Sequence, residues 1–524
     1  MKKGAYPKKE QLVNIPELIT KYFYYTKNLS PVKFGTSGHR GSAFKKSFNE
    51  KHIFAISDAI AYYKNLTNQT GPLFAGIDTH ALSTPALASA VRVYASKKIK
   101  VKIGKTYTPT PLVSFAILEH NKKEEDLADG IVITPSHNPP EDGGYKYNTP
   151  NGGAADTDVT KIIEKYANEK LNSIENYKSY EDAINSEFVQ EYDFITPYVE
   201  ALPEIVDIEA VKKSTYKFAA APLGGTSLEV YKKIKEIYSL NLEIIDPYVD
   251  FTFSFMTLDF DGKIRMDCSS PYAMAGVEKH KDKFDLIVAN DTDADRHGIV
   301  CKEGLMNPNH FLSVAIWYLF NTRKWKNVKI GKTIVTTAMI DRIAEYLGVE
   351  VYETPVGFKY FGEGLYKKEL AIGCEESAGA SFLRFNGDSW VTDKDGIVMA
   401  MLAMEIISKD KSPHLIYKEL EEKFGKCYYK RIDIPATPEE KEKIKKLENI
   451  SLETFGGEKV QNILTRAPGN GADIGGVKIV TKNGWAVIRP SGTEDIIKIY
   501  TESFISEKHL KRMQEDALNL IKRS

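Results

Sequence analysis

The sequence predicts an α/β protein made of several domains. Short apolar runs at residues 73–77, 101–104, 131–133 and 286–289 are typical of buried strands. Segments with helical periodicity lie between them, as at residues 53–63, where isoleucines recur on one face. Alternating strands and helices of this kind indicate α/β domains. Because 524 residues are too many for one core, we expect three or four domains.

Composition excludes several functional classes. Lys+Arg and Asp+Glu both number 71, so the formal net charge is zero and nothing global predicts binding to nucleic acid or to a membrane surface. The four cysteines show no CxxC spacing and are too sparse for a disulfide framework, so we expect reduced thiols and a cytoplasmic protein. We expect neither a signal peptide nor a membrane span, because the apolar runs are too short.

The most informative stretch is residues 131–148, which read IVITPSHNPPEDGGYKYN. A buried strand ends at Ile133, and Ser136 follows on a loop that Pro139 and Pro140 stiffen. Open α/β sheets bind ligands outside the carboxyl ends of their strands, so a reacting side chain is expected here. Taken alone, a serine in a loop rich in proline and glycine is more often a turn former.

Two other glycine-containing loops allow a functional and a structural interpretation. The first, KFGTSGHRG at residues 33–41, is either a surface turn or a loop that reaches a phosphate with Arg40 as donor. The second, Gly-Gly-Thr at 224–226, precedes a predicted helix and is either an anion site or a plain strand-to-helix turn. We also expect Ser47 and Glu50 to form a capping box for the helix that starts near residue 50.

An acidic cluster follows the apolar run at 286–289. Asp291, Asp293 and Asp295 alternate there, and carboxylates so close repel one another unless a hard cation offsets the repulsion. An EF-hand calcium loop needs glycine at its sixth position and glutamate at its twelfth, where this chain has Arg296 and Lys302. Three carboxylates leave octahedral positions for a phosphate oxygen, which favours Mg²⁺, whereas the alternative is a solvated acidic turn.

Two loops in the second half of the chain carry polar groups that suit hydroxyl and phosphate groups. Glu375 and Ser377 in LAIGCEESAGASF can bridge neighbouring hydroxyl groups, although adjacent glutamates also suit the start of a helix. In RPSGTED, Arg489, two hydroxyls and a glycine make a phosphate cradle, with a hairpin turn as the alternative. Further elements are predicted around them: a strand at 333–337, a helix at 341–347, a charged helix at 435–448, strands at 485–488 and 496–500, and a last helix with Ser506 as N-cap.

Together these loops resemble those of the α-D-phosphohexomutase family, and within it the bacterial phosphoglucomutases. TPSHNPPEDGGYKYN resembles the phosphoserine loop, TSGHRG an N-terminal loop, DTDADR the metal loop, CEESAG the sugar loop, TDKDG a substrate-contacting element and RPSGT the phosphate loop. The motifs occur in the family's order from about residue 33 to residue 504. Val356 and Lys498 stand where vertebrate-type relatives have threonine and arginine, and Cys374 stands where a glycine is usual in the family.

The resemblance implies a fold and a domain plan. It implies three similar α/β domains with mixed sheets and a smaller C-terminal α+β domain, arranged around a central cleft. We expect the phosphoserine loop in residues 1–205, the metal loop in 206–308, the sugar loop in 309–428 and the phosphate-binding domain in 429–524.

The resemblance also implies an activity. Members of the family of this type interconvert glucose 1-phosphate and glucose 6-phosphate through a phosphoserine, here Ser136, and a glucose 1,6-bisphosphate intermediate that also serves as activator. One Mg²⁺ would be held by Ser136, Asp291, Asp293 and Asp295. The partner would be a small phosphosugar, and the chain would be a monomer or a homodimer. Alternatives are a phosphomannomutase or another phosphohexomutase, a phosphatase, and a noncatalytic phosphosugar-binding relative.

The roles of the remaining site residues follow from the same resemblance. Lys146 and Arg40 are candidates for the general base, with His137 as runner-up. A lysine serves as a base only if burial or nearby cations lower its pKa. The expected substrate-binding residues are Thr36, Arg296, Gly357, Lys359, Glu375, Ser377, Lys394, Arg489, Ser491, Gly492, Thr493 and Lys498.

Overall fold

The structure is a computed structural model, which describes residues 2–35, 38–445, 450–491 and 495–523. Within these residues the strands form four sheets, and each sheet is built from a continuous stretch of the chain.

The first stretch forms a mixed sheet covered by helices. Its strands are β1 Phe34–Gly35, β2 Gly38–Ser42, β3 Leu73–Ile77, β4 Val101–Gly104, β5 Asp129–Ile133, β6 Asp142–Asn148 and β7 Val189–Tyr192. Its helices are α1 Ile15–Tyr24, α2 Glu50–Leu66, α3 Ser83–Ser96, α4 Thr110–Asn121, α5 Thr157–Lys170, α6 Tyr180–Ile184 and α7 Ile195–Ala201. The strand order is β1-β2-β6-β5-β3-β4-β7.

The second and third stretches form smaller sheets. The second contains α8 Ile208–Lys213, β8 Phe218–Ala221, α9 Ser227–Tyr238, β9 Leu242–Ile244, α10 Ala275–Glu278, β10 Leu286–Asn290, β11 His297–Cys301 and β12 Gly304–Leu305. The third contains α11 Pro308–Thr322, β13 Lys329–Thr333, α12 Met339–Leu347, β14 Val351–Thr354, α13 Lys359–Tyr366, β15 Leu370–Glu375, β16 Gly379–Phe382, α14 Gly396–Lys409 and α15 Pro413–Phe424. Their strand orders are β12-β11-β10-β8-β9 and β14-β13-β15-β16.

The fourth stretch differs in that every strand pairing among its described residues is antiparallel. Its elements are β17 Tyr428–Pro435, α16 Pro438–Lys445, β18 Thr454–Phe455, β19 Glu458–Arg466, β20 Asp473–Thr481, β21 Gly484–Pro490, β22 Ile496–Ser503 and α17 Glu507–Arg523. The strand order is β17-β22-β21-β20-β19-β18. Helices packed on an antiparallel sheet make this an α+β domain.

One four-stranded unit recurs in the first three sheets. Its strands lie in the orders β4-β3-β5-β6, β9-β8-β10-β11 and β14-β13-β15-β16. In each unit the first three strands are parallel and the fourth returns antiparallel. This repetition confirms the predicted fold class of three similar α/β domains followed by an α+β domain. The predicted domain boundaries stay a prediction.

A loop follows the third strand of each unit, and the shared core fixes where these three loops lie. Every residue of β5, β10 and β15 is buried, as expected for strands covered on both faces. Val132, Val288 and Ile372, one from each of these strands, belong to a single apolar cluster. Because this core is continuous, the loops that follow the three strands are held in fixed positions relative to one another.

Two local predictions were wrong, and a third is observed in part. The strand predicted at 333–337 is β13, which ends at Thr333; the chain then turns, and the hydroxyls of Thr333 and Thr336 lie 2.8 Å apart. The N-cap of α2 is Asn49, whose N–H donates to His52 Nδ1 at 3.1 Å, so Ser47 and Glu50 do not form the predicted capping box. The helix predicted at 435–448 is observed as α16, and residues 446–448 lie outside the described residues.

Two further observations concern the edges of the fold. The last strand of the first sheet is the edge strand β7, which pairs in parallel with β4. Ser506 caps the last helix as predicted, because its Oγ accepts the N–H of His509 at 3.1 Å. Among the described residues we find no helix with the length and apolar character that a membrane crossing requires.

Candidate active site

The loops that follow β5, β10 and β15 meet at one place. Ser136 Oγ of the first loop donates a hydrogen bond to Asp291 Oδ2 of the second at 2.6 Å. Arg296 of the second loop forms an isolated antiparallel bridge with Gly379, the first residue of β16, which follows the third loop. Three domains therefore contribute to one site.

Ser136 lies buried in an uncommon backbone conformation. It is 1% exposed and has a φ of 57°, in the left-handed region that non-glycine residues seldom adopt. Its N–H donates to Thr134 Oγ1 at 2.8 Å. His137 Nδ1 lies 3.3 Å from Ser136 Oγ. These contacts hold the serine hydroxyl at the edge of the acidic cluster.

The acidic cluster has the form of a cation site. Asp291, Asp293 and Asp295 are buried, and one oxygen of each lies within 4.8 Å of the others. Asp293 Oδ1 and Asp295 Oδ1 are buried and have no hydrogen-bond partner among the described residues. A buried carboxylate oxygen without a partner is costly, and oxygen donors of this type suit Mg²⁺. The residues therefore fit a divalent cation.

Cationic and hydroxyl groups from two other domains bind the remaining carboxylate oxygens. Lys146 Nζ lies 2.6 Å from Asp293 Oδ2 and 3.1 Å from Asp295 Oδ2. Lys394 Nζ lies 3.0 Å from Asp295 Oδ2, and Thr110 Oγ1 donates to Asp293 Oδ2 at 2.6 Å. Sequence reasoning missed Thr110, although it lies in the TPTP segment that follows β4.

Burial and charge shift the three carboxyl groups differently. Burial and the neighbouring Asp293 and Asp295 raise the pKa of Asp291 well above its ordinary value. Burial also acts to raise the pKa of Asp295, but Lys146, Lys394 and Arg296 outweigh it and hold that pKa below its ordinary value. The Arg296 guanidinium is near both, with Nε 3.9 Å from Asp295 Oδ1 and 4.0 Å from Asp291 Oδ2.

The three candidates for the general base have different environments. Burial acts to lower the pKa of Lys146, but its aspartate partners raise it above its ordinary value, so these contacts are those of a charged lysine. Burial and Arg296 lower the pKa of Arg40, whose Nη1 donates to Asn138 Oδ1 at 3.1 Å. Burial, Arg296 and Arg40 hold the pKa of His137 well below its ordinary value, so its imidazole is neutral. The assignment of the base stays a prediction.

The loop after β15 presents the predicted sugar-binding pair. Glu375 is 5% exposed, and its Oε1 accepts the N–H of Gly357 at 3.0 Å. Burial raises the pKa of Glu375 to about 7, against the opposing effect of Lys394. Ser377 is partly exposed. Glu376 was not predicted; its Oε2 is buried and finds no partner in the part of the chain that the structure describes.

The fourth domain contributes the predicted phosphate cradle. Arg489 and Lys498 lie directly opposite each other on β21 and β22, and Arg489 Nε is buried with no partner among the described residues. Ser491 is 6% exposed and donates its N–H to the carbonyl of Ile496 at 2.9 Å. Three predicted substrate-binding residues lie outside the described residues, namely Thr36, Gly492 and Thr493.

Lys359 is a predicted substrate-binding residue with another partner. Its Nζ donates to Thr157 Oγ1 at the start of α5 in the first domain. Its backbone starts α13, two residues after Gly357, whose N–H binds Glu375. The structure therefore places the backbone of Gly357 at Glu375, while the Lys359 side chain bridges two domains.

Comparison with known proteins agrees with this geometry. The four domain models of the phosphoglucomutase/phosphomannomutase family match in order: domain I at residues 31–173, domain II at 196–304, domain III at 307–424 and the C-terminal domain at 435–520. A phosphoglucomutase from Komagataeibacter xylinus is 52% identical over 530 aligned positions, which cover 98% of this chain and 95% of that protein. A phosphomannomutase from Mycoplasma genitalium is 27% identical and is covered over 76% of its length, with 79% of this chain aligned.

Solved structures share the fold over nearly the whole chain. The parafusin phosphoglucomutase of Paramecium, in its open form, has a TM-score of 0.73 at 21% identity and covers 95% of both chains. A phosphoglucomutase/phosphomannomutase family protein from Burkholderia thailandensis also has a TM-score of 0.73, at 19% identity, over 94% of this chain and 98% of that one. The family predicted from the motifs is confirmed: the chain belongs to the phosphoglucomutase/phosphomannomutase family of phosphohexomutases.

Proposed function

We propose that the chain is a phosphoglucomutase, which interconverts glucose 1-phosphate and glucose 6-phosphate. The observation that carries the proposal is the 2.6 Å hydrogen bond between Ser136 Oγ and Asp291 Oδ2. It puts a buried serine hydroxyl beside a cluster of three carboxylates at the meeting point of two domains. The 52% identity to a bacterial phosphoglucomutase over nearly the full length supports the choice of glucose.

The reaction is two phosphoryl transfers through Ser136. In the first, the Oγ–P bond of phospho-Ser136 breaks, a bond forms between phosphorus and the free hydroxyl oxygen of the bound monophosphate, and the hydroxyl proton passes to the base. The product is glucose 1,6-bisphosphate. After this bisphosphate reorients in the site, its other phosphoryl group returns to Ser136 Oγ, and a proton returns to the oxygen that it leaves. Positioning and charge stabilisation supply most of the catalysis in such transfers.

The acidic cluster supplies the metal site. Asp291, Asp293, Asp295 and the phosphoryl group on Ser136 would hold Mg²⁺, and the Oδ1 atoms of Asp293 and Asp295, which have no hydrogen-bond partner within the described residues, are available as metal ligands. When bound, Mg²⁺ neutralises charge on the transferring phosphoryl group. Glucose 1,6-bisphosphate acts as activator because it phosphorylates Ser136 in any dephosphorylated molecule.

Binding residues hold the two ends of the sugar phosphate. Glu375 and Ser377 accept and donate hydrogen bonds at the 3- and 4-hydroxyls, and Lys394 reaches the same site from the third domain. Arg489, Ser491 and Lys498 hold the phosphate that is not reacting, and the buried Nε of Arg489, which no described residue binds, suits that role. Since either phosphate must occupy this cradle, it accepts the sugar in both orientations.

Two further properties are proposed with the activity. The protein is cytoplasmic: its four cysteines, Cys268, Cys301, Cys374 and Cys427, are all buried and free, which suits a reducing compartment. A monomer or a homodimer stays the prediction for its assembly state.

The test is a comparison of initial rates with Mg²⁺ and a trace of glucose 1,6-bisphosphate. Glucose 1-phosphate, mannose 1-phosphate and glucosamine 6-phosphate are offered in turn, and free phosphate is measured alongside. Preference for glucose 1-phosphate without phosphate release is expected. Preference for mannose 1-phosphate would keep the chemistry and replace the substrate, whereas phosphate release alone would identify a hydrolase.

A pair of serine variants tests the covalent step. Ser136→Ala removes the phosphoryl acceptor, so turnover and labelling by the bisphosphate should both be lost while the Tm is retained. Ser57→Ala is the matched control, because Ser57 is also buried in the first domain but its Oγ shares a hydrogen bond with Tyr145 OH, at 2.9 Å. Retained turnover in Ser136→Ala would rule out the phosphoserine route.

A further inference from the structure

Residues 78–80, which we call the junction segment, follow β3 directly and have no part in the proposed reaction. Asp78, Thr79 and His80 are all fully buried. They are polar, and two of them carry ionisable groups, so their burial needs an explanation in their partners. Those partners belong to the loops that carry Ser136 and the acidic cluster.

Asp78 holds the backbone of Ser136 through one intermediate. Its Oδ2 accepts from Thr134 Oγ1 at 2.6 Å, and the same Oγ1 accepts the N–H of Ser136 at 2.8 Å. Ser83 Oγ donates to Asp78 Oδ1 at 2.6 Å and fixes the carboxylate from the other side. A left-handed serine persists only where its surroundings impose that conformation, and this chain of hydrogen bonds does so.

His80 holds the same loop at a second point. Its Nδ1 lies 2.7 Å from Asp78 Oδ2 and its Nε2 lies 3.0 Å from the carbonyl oxygen of Asn138. A carboxylate oxygen and a carbonyl oxygen can only accept, so both ring nitrogens must donate, and His80 is an imidazolium. Burial acts to lower the pKa of His80, but Asp78 outweighs burial and raises it. The charged pair of Asp78 and His80 therefore binds this loop at two points, Thr134 and Asn138.

The junction segment also contacts the second domain. Thr79 Oγ1 donates to the carbonyl oxygen of Gly224 at 2.8 Å. The next residues on that loop hold the acidic cluster, since Thr226 N–H and Oγ1 both donate to the carbonyl oxygen of Thr292, at 2.8 Å and 3.0 Å. A Cβ on Gly225 would lie 2.6 Å from that same oxygen, so glycine is required there. The Gly-Gly-Thr motif therefore has a structural role, because Thr226 binds the backbone of Thr292 and Gly225 leaves room for it.

We propose that the junction segment is a positioning element for phosphoryl transfer, which holds the Ser136 loop and the Asp291–Asp295 loop at a fixed separation across the domain boundary. On one side it binds Thr134 and Asn138, and on the other it binds Gly224. Phosphoryl transfer is sensitive to the alignment of donor and acceptor, so a small shift between the two loops lowers kcat more than it changes substrate binding. The kinetic form of this inference rests on the proposed function.

Thr79→Val is the sharpest test, because it removes one cross-domain hydrogen bond while keeping nearly the same side-chain shape. We expect kcat to fall about tenfold while KM changes less than about twofold. The matched control is Thr501→Val, away from the site: Thr501 is also fully buried, and its Oγ1 donates to the carbonyl oxygen of Lys430 and accepts from Gln514 Nε2, each at 3.1 Å. The control loses at least as many hydrogen bonds, so it should lose at least as much Tm while keeping its kcat.

Thr134 provides an independent pair of variants. Thr134→Val removes the acceptor of the Ser136 N–H, whereas Thr134→Ser keeps it. We expect Thr134→Val to lower kcat by at least about tenfold and Thr134→Ser to retain most of it. We also expect amide hydrogen exchange of peptides spanning residues 134–142 to be faster in Thr134→Val than in Thr134→Ser, a readout that needs no enzymatic activity.

The outcomes separate this inference from the proposed function. If the unmodified protein turns over no sugar phosphate, the proposed function fails. Hydrogen exchange still tests whether the junction segment holds the Ser136 loop through Thr134. If the unmodified protein is active and Thr79→Val matches Thr501→Val in kcat, the positioning role is refuted. Equal exchange and equal turnover in the serine and valine variants at residue 134 would refute it as well.

Discussion

The metal loop, Asp291–Arg296, and the sugar loop, Glu375–Ala378, occupy the same place in their domains and differ in how their polar atoms are satisfied. Each follows a fully buried parallel strand and precedes an antiparallel return strand. Each contains one left-handed alanine, Ala294 at a φ of 57° and Ala378 at 70°. They are also neighbours, since the N–H of His297, just after the metal loop, donates to the carbonyl oxygen of Ala378 at 3.0 Å.

The metal loop is bound by side chains from outside its own domain, whereas the sugar loop contains polar groups that are partly exposed or lack a hydrogen-bond partner among the described residues. Ser136 and Lys146 of the first domain and Lys394 of the third all reach the metal-loop aspartates. In the sugar loop Glu376 and Ser377 are partly exposed, and Glu376 Oε2 has no partner among the described residues. The comparison indicates that contacts between domains preorganise the part of the site around the metal loop. The sugar loop, by contrast, keeps polar atoms available for a ligand.

The largest expected effect comes from the metal loop. Asp293→Asn removes the charge of a carboxylate whose Oδ1, unpartnered within the described residues, is available to a cation. We expect kcat to fall about a thousandfold, since charge stabilisation of this kind is worth several kcal/mol. The measurement is turnover after chelation and return of Mg²⁺, which should restore the unmodified protein only. Asp259→Asn, another buried aspartate of the second domain, is the control; equal losses in both variants would contradict the assignment.

An intermediate effect is expected where the two loops meet. A Cβ at Gly379 would lie 2.2 Å from Lys394 Cδ, so Gly379→Ala should displace Lys394 from Asp295. We expect kcat to fall between about tenfold and a hundredfold through misalignment.

Gly362→Ala is the control for that variant, because its nearest non-neighbouring atom would be the carbonyl oxygen of Thr392 at 3.4 Å, an ordinary contact. Steady-state kinetics of both alanine variants provide the measurement. Full activity in Gly379→Ala would show that Lys394 does not act through its present position.

A smaller effect is expected from the ionisation of Glu375, whose pKa is raised by burial from its ordinary value of 4.5 to about 7. Between these values the folded protein keeps a proton that the unfolded chain has released, so the free energy of unfolding falls as pH rises and the loss is complete above about pH 7. Glu375→Gln carries no such proton. Its stability relative to the unmodified protein should therefore rise by about 1–3 kcal/mol between pH 5 and pH 8.

Thermal unfolding of the two proteins across that pH range measures the difference. Lys394 and Glu376 are present in both, so their effects largely cancel. A stability difference that stays constant with pH would mean that Glu375 titrates at its ordinary value. It would also remove one contrast with the metal loop, where lysines pair with the buried carboxylates of Asp293 and Asp295.

The smallest effect is expected at Lys498, opposite Arg489 in the phosphate cradle. Lys498→Arg keeps the charge and adds a planar fork that suits phosphate. We expect kcat/KM for glucose 1-phosphate to change less than about threefold. A loss of tenfold or more would show that the cradle is fitted to the compact ammonium group. The phosphate cradle would then be as rigid as the metal loop.

Local patterns in the sequence predict a large part of the fold. The strands predicted at 73–77 and 101–104 are observed with the same bounds as β3 and β4. Both are short apolar runs closed by turn residues, a signal that depends on neighbouring residues alone. The edge strand β7 has only one buried residue, Val189, and so lacked that signal.

The chemistry of the site was readable from the sequence, but its assembly was not. Ser136 and the alternating aspartates follow buried strands, and Glu375 and Arg489 lie near the ends of β15 and β21. The motifs that contain them resemble those of a phosphosugar site. The bond from Ser136 to Asp291 spans 155 positions, and that from Lys146 to Asp293 spans 147.

Such pairings, like the link from Thr79 to Gly224, form only when separate domains pack against one another. The sequence by itself determined which groups are available and the order in which the loops present them, because side-chain chemistry and strand patterning are local properties. Only the tertiary structure decided which of those groups bind each other, because burial in a shared core brings together residues that no sequence spacing relates.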